Sequence, residues 1–191
     1  MIETLKQIDR EIFLALNGAN SEFMDIVMWW TSDRFIWIPF YALLLFLVYR
    51  KSNLKTTLVV MVTIALVITL CDQLSVKAFK EVFQRYRPCH NLEIKEMVHL
   101  VHDKCGAKFG FVSSHAANVF GLATFLSFFF REKKYVILLI FWAAFVSYSR
   151  IYLGVHYPSD IIVGGILGAL IGWGCYELMQ RLIIRKFLQH D

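Results

Sequence analysis

The chain has 191 residues, of which 58% are hydrophobic and only 18% charged, with a formal net charge of +5. A soluble domain carries roughly 45–50% apolar and about 25% charged residues, so this balance, with a mean hydropathy of +0.54, excludes disorder, collagen-like repeats and a disulfide-dense miniature scaffold. The basic excess of so apolar a chain points to membrane edges or an anionic ligand, not to nucleic acid.

In chain order, the first element is an amphipathic helix over residues 2–16. Leu5, Ile8, Ile12 and Leu16 recur at helical spacing, with Glu3, Lys6, Asp9, Arg10 and Glu11 between them, the pattern of a helix lying in a membrane interface. Acidic residues precede its short apolar run, which is unlike a signal peptide. Asn17, Gly18, Asn20 and Ser21 end it, and a short helix through Met28 and Trp30 follows, dipping toward the membrane. Five uncharged stretches come next, over residues 35–49, 56–71, 109–130, 135–149 and 161–176. A hydrocarbon core about 30 Å thick needs roughly 20 helical residues, so the shorter stretches must borrow polar flanks. The expected fold is all-α: a polytopic transmembrane bundle of five spans, with an interfacial N-terminal helix and a short pre-span helix. It forms one membrane domain over residues 1–191, interfacial over 1–33 and transmembrane over 34–185.

Basic residues in the short connections orient the bundle. Arg50, Lys51 and Lys55 join the first two spans, Arg131, Lys133 and Lys134 the third and fourth, and Arg181, Arg185 and Lys186 follow the fifth. If the spans alternate, all of these share one side, which the positive-inside rule makes cytoplasmic. The N-terminal helix, residues 77–114 and the loop 150–159 then face outward, in a cell (inner) membrane.

Three outward segments carry the chemistry. Lys80 and Arg87 are seven residues apart, about two turns, so on a continuing helix they share a face, and Pro88 stops that helix. Two such cations can grip a phosphate or snorkel to headgroups. Ser113 and Ser114 open the third span, where free amides make an anion site, with His115 in the first turn. His156 and Asp160 are four residues apart at a helix entrance, a spacing that lets the carboxylate orient the imidazole, and Arg150 lies upstream.

Taken together, these segments resemble the type 2 phosphatidic acid phosphatase (PAP2) superfamily. Its first motif, Lys, six residues, Arg-Pro, is complete at Lys80, Arg87 and Pro88. Its third, Ser-Arg, five residues, His, three residues, Asp, is complete at Ser149, Arg150, His156 and Asp160. The second, Pro-Ser-Gly-His, is partial: Ser113 and His115 match, while Val112 and Ser114 replace proline and glycine. The resemblance implies a phosphohydrolase that uses no metal and no cofactor and works through a phosphohistidine. His156 is the implied nucleophile, Asp160 its partner and His115 the acid and then the base. Lys80, Arg87, Ser113, Ser114 and Arg150 are the implied phosphate ligands. The substrate expected is a membrane lipid phosphate, first of all undecaprenyl pyrophosphate. Lipid A, phosphatidylglycerophosphate and phosphatidate are runners-up. A lipid phosphotransferase or a non-catalytic lipid-phosphate binder is the alternative from another class.

Three further features need a place. Gly164, Gly168 and Gly172, spaced by four, suit close helix packing. Asp72 ends the second apolar run, where an acid is a functional hint; sharing a helix face with Lys80 or pairing with Lys77 would make it a support for the site. Cys89 and Cys105 share an outward loop, where an oxidising compartment favours a disulfide. His90, His99 and His102 in that loop match no familiar zinc spacing. Oligomeric state has no signal in the sequence.

Overall fold

The computed structural model describes residues 2–188, with side chains from residues 3–182. Its elements are α1 (Ile2–Gly18), α2 (Glu22–Ser32), α3 (Ile38–Lys51) and α4 (Leu54–Leu74), which a π-helical stretch, Ser75–Lys80, carries into the turn α5 (Glu81–Phe83). After an irregular segment come α6 (Ser114–Phe130), α7 (Lys133–Tyr152) and α8 (Pro158–Leu188). Among the described residues the only β pairing is an isolated antiparallel bridge between Tyr86 and Phe109. The chain is all-helical.

Three helical stretches are long and apolar enough to cross a membrane: Leu54–Phe83, Lys133–Tyr152 and Pro158–Leu182. The 17 residues of α6 are a shorter apolar helix, reaching about 25 Å at 1.5 Å per residue. Residues 109–113 of the third apolar stretch are not helical, because the chain there turns toward the site described below. With 14 residues, α3 is shorter still. Val62 on α4, Phe141 on α7 and Ile162, Ile166 and Leu170 on α8 all point outward and exposed. Such a belt is stable against lipid and not against water.

The core is built around α6. Leu122, Ala123, Phe125, Leu126 and Phe130 are buried against Val60, Val67 and Cys71 of α4 and Leu139, Trp142 and Val146 of α7. Toward α8 the contact is made by backbone. A Cβ on Gly164 would sit 2.6 Å from the Ser113 carbonyl oxygen, and Cβ atoms on Gly168 and Gly172 would fall on the Ala117 and Gly121 carbonyls. The glycine register therefore serves helix packing within the chain.

At one end of the bundle, Lys51 at the end of α3 pairs with Glu132 before α7 at 3.1 Å and donates to the Phe130 carbonyl. Arg131 donates to the Tyr176 hydroxyl at 2.8 Å. The α3–α4 and α6–α7 turns thus share an end, as alternating helices require; the Arg185 and Lys186 side chains lie outside the described residues. At the other end, α1 docks by burying Phe13 and Asn17. Asn17 donates to the Tyr152 carbonyl at 2.7 Å and accepts the His99 amide at 2.8 Å. Leu5, Ile8 and Ile12 stay exposed. The loop before α6 is stapled by a Cys89–Cys105 disulfide, with Cα atoms 5.9 Å apart. These cysteines and His90 are the only compact metal-ligand cluster among the described residues, and the S–S bond occupies both sulfurs.

Gly168→Val would force α6 and α8 apart, and overpacking of this kind costs about 1–3 kcal/mol or more. A lowered thermal midpoint in detergent, together with lost activity, is the expected result.

Candidate active site

The site forms where α6 and α8 begin. Ser113 caps α6: its hydroxyl accepts the Ala116 amide at 3.4 Å, and its own amide donates to the Asp160 carbonyl at 3.0 Å. One backbone bond therefore ties the two helix starts together. The reversal from α7 into α8 depends on Gly154, at φ +75°, where a Cβ would also stand 2.7 Å from the His99 carbonyl oxygen. This turn directs the Val155 and His156 amides to the Arg150 carbonyl, at 3.1 and 3.2 Å, and so sets His156 beside the N-terminus of α8.

His156 and Asp160 are buried, with 1% and 0% of their surface exposed. His156 Nδ1 lies 3.3 Å from Asp160 Oδ2, which also accepts the Tyr157 amide at 3.0 Å. On the other side of the ring, Arg87 Nη1 lies 3.3 Å from His156 Nε2. A guanidinium has only donors, so Nε2 must be the accepting, unprotonated nitrogen and the proton resides on Nδ1 facing the carboxylate. Burial first, then the Arg87, Arg150 and Lys80 cations, push the His156 pKa well below its ordinary 6.5. The ring is thus neutral, with a lone pair aimed at a cluster of cations. Gly110 closes the back of the pair: a Cβ there would stand 3.0 Å from Arg87 Cγ, 3.3 Å from Asp160 Oδ2 and 3.5 Å from His156 Nδ1.

Lys80, Arg87, Ser114, His115, Arg150 and His156 line one cavity of about 740 Å³. Lys80 Nζ donates to Ser114 Oγ at 2.7 Å, and Arg150 donates to Ser32 Oγ. The Nε atoms of Arg87 and Arg150 are buried with no protein partner, the condition of donors built for an anion. Asp160 stands behind His156, outside the cavity lining. Ser113, expected as a phosphate ligand, is fully buried and its hydroxyl is engaged in the cap, so its side chain does not reach the cavity. Ser114 does, and its φ is helical within α6.

The route from Lys80 to Arg87 differs from the expected continuous helix. The helix ends at Phe83, Gln84 takes a left-handed φ of 46°, and Tyr86 bridges Phe109. In that extended stretch, alternate residues share a side, so Arg85 and Arg87 both face the pair, and Arg87 reaches His156. Arg85 Nη1 donates to Asp160 Oδ1 at 2.8 Å and to Ser159 Oγ at 2.6 Å. Helical spacing hides this second arginine; the alternation of a strand over the three residues before Pro88 reveals it. Asp72 does not pair with Lys77 but lines the same cavity as Lys80: its Oδ1 accepts from Asn118 Nδ2 at 3.0 Å, and Asp72 and Asn118 line the cavity below His115.

Below this polar pair the cavity continues between Leu44, Val48, Leu122, Leu126 and Trp142. From His115 to Leu126 along α6 the depth is about 16 Å. The site is a cationic mouth over an apolar shaft.

A model described as the PAP2 superfamily matches residues 56–184. The lipid A 4'-phosphatase of Bacteroides thetaiotaomicron is 40% identical over 192 residues, which is 100% of this chain and 84% of that protein. The undecaprenyl-diphosphatase of Sulfolobus acidocaldarius is 31% identical over 190 residues, 98% of this chain and 82% of that one. Among solved structures, a PAP2-type phosphatidylglycerolphosphate phosphatase from Bacillus subtilis superposes with a TM-score of 0.68 over 95% of this chain and 87% of its own, at 22% identity.

Two outcomes follow from the His156 pocket. Gly110→Ala would displace Arg87 from Nε2 and lower activity. The depressed His156 pKa means the unfolded chain binds the extra proton first as pH falls below 6.5. This contribution to stability is therefore full above that pH and lost below it. The thermal midpoint should fall more steeply on acidification in the wild-type protein than in His156→Gln.

Proposed function

This chain belongs to the PAP2 superfamily, and from that membership we propose that it is a membrane phosphatase whose His156 attacks the phosphorus of a lipid phosphate. The observation that carries this reading is what flanks the His156 ring: Nε2 faces Arg87 Nη1 and Nδ1 faces Asp160 Oδ2, each at 3.3 Å, the arrangement of an unprotonated Nε2 and a proton on Nδ1. In the first step the Nε2–P bond forms and the bond from phosphorus to the leaving oxygen breaks, with His115 protonating that oxygen. Asp160 stabilises the positive ring that results. In the second step His115 takes a proton from water, the water oxygen bonds to phosphorus, and the Nε2–P bond breaks to free phosphate. Lys80, Arg87, Arg150, Ser114 and the first-turn amides of α6 hold the phosphoryl oxygens, where charge accumulates in the transition state. Ser113 acts through its cap.

The shaft under the mouth suits an acyl or prenyl chain. The protein is an integral membrane enzyme; five spans, with α3 and α6 as short ones, would place the site at the outer face of the cell membrane and the Lys51–Glu132 end in the cytoplasm. One domain over residues 1–191 contains all of it. Of the lipid phosphates, lipid A is the substrate we favour over undecaprenyl pyrophosphate. The relative with the higher identity, over the whole chain, is a lipid A 4'-phosphatase. The Asp72–Asn118 pair supports the same choice, because it puts a carboxylate where a sugar hydroxyl of the leaving group can donate and where the remaining anionic phosphate of a cleaved pyrophosphate would be repelled.

Phosphate release from lipid A, undecaprenyl pyrophosphate and phosphatidylglycerophosphate by detergent-purified protein tests this, with His156→Ala as the blank. The expected result is fastest release from lipid A and none from the variant. Transfer of phosphate to an alcohol without release would favour a phosphotransferase, and wild-type turnover by His156→Ala would remove the mechanism. Arg87→Lys keeps charge but loses the fork, and should lower kcat/KM by roughly 10-fold or more.

A further inference from the structure

We infer that Arg85 and Asp9 are positioning residues for the His156–Asp160 pair: Asp9 on α1 holds the Arg85 guanidinium against Asp160, which fixes the carboxylate against the imidazole. The inference rests on the reading of His156 as nucleophile.

The contacts form a closed set. Arg85 Nη2 donates to Asp9 Oδ2 at 2.7 Å while Nη1 donates to Asp160 Oδ1 at 2.8 Å. Asp9 Oδ1 accepts the Ser159 amide at 2.9 Å and its Oδ2 accepts the Ser159 hydroxyl at 2.5 Å. Arg85 also lies over the Tyr157 ring, with Cζ 4.1 Å from the centroid. Asp9 therefore grips both the first turn of α8 and the arginine that reaches into it.

This is not an ordinary surface ion pair. The Asp160 side chain is 0% exposed, that of Asp9 11% and that of Arg85 26%, so the charges are screened far less than at an open surface. The division of labour on Asp160 is what links the set to chemistry. Oδ2 serves His156 and the Tyr157 amide, and Oδ1 is left to Arg85. Without Arg85, Oδ1 has no donor among the described residues, and the carboxylate can rotate that oxygen toward another partner, such as Arg87. The His156 ring, which must carry a positive charge while phosphorylated, then loses its fixed counter-charge. Arg85 touches no cavity atom, so its effect passes through Asp160.

Steady-state kinetics on the full chain in detergent, with a lipid phosphate monoester as substrate, test this by a double-mutant cycle. Arg85→Met and Asp9→Asn are each made alone and with Asp160→Asn. Each alone should lower kcat by roughly 10- to 100-fold, the usual loss for a group that orients a reacting one, with KM little changed. In the Asp160→Asn background the same substitutions should have almost no further effect, because the group through which they act is gone. Arg85→Lys should recover part of the loss, and it reads the same cycle if Arg85→Met is too unstable to purify. Losses that multiply in the Asp160→Asn background, a loss carried by KM, or wild-type kcat in the single variants would overturn the positioning role alone. Absence of turnover by the unsubstituted protein would overturn the phosphatase reading and this inference with it.

Discussion

Everything at the site depends on how closely α6 and α8 approach. Gly164, Gly168 and Gly172 leave no side chain between the helices, so the backbones touch along three turns. In lipid there is little hydrophobic gain from bringing two apolar helices together, and packing contact has to supply the attraction. The contact brings the start of α6 beside the start of α8, where the Ser113 amide bonds the Asp160 carbonyl. His115 and His156, which belong to different turns of the chain, then face the same cavity. A bulkier residue at any of the three glycines acts on the chemistry without touching it.

The second constraint is electrostatic. Lys80, Arg87 and Arg150 share a partly buried mouth, and no carboxylate pairs with Arg87 or Arg150 among the described residues. Like charges so placed cost stability, and an anion with several oxygens is the ligand that relieves them. The two unpartnered guanidinium Nε atoms fit that view. Asp160 is kept out of the mouth by Arg85, Tyr157 and His156. It can polarise the imidazole without neutralising the cations that a phosphate needs.

Much of this was legible in the sequence. The motif residues Lys80, Arg87, His115, Arg150, His156 and Asp160 assemble as a group, and the glycine register marks the helix contact on which they depend. Sequence pattern and structure part where a helical period would have to continue past Phe83. Gln84 in a left-handed conformation ends α5, and the following extended stretch has a period of two. Arg85 and Arg87 are therefore neighbours at the His156–Asp160 pair, while Lys80 meets Arg87 across the cavity mouth. Ser113 suits both a cap and a ligand by its sequence position, and its burial and the Ala116 amide on its hydroxyl make it the cap.

Composition and motif spacing alone determined that the chain is an apolar helical bundle that carries its cations, histidines and an aspartate in three spaced motifs. Those properties depend on residue type and local period, which a sequence carries directly. The imidazole tautomer, the cation-to-lone-pair contact at Nε2, the apolar shaft and the reach of Asp9 from α1 into the first turn of α8 were decided only by the tertiary structure. Each joins residues far apart in the chain, 150 positions for Asp9 and Ser159, and depends on side-chain directions that no local period specifies.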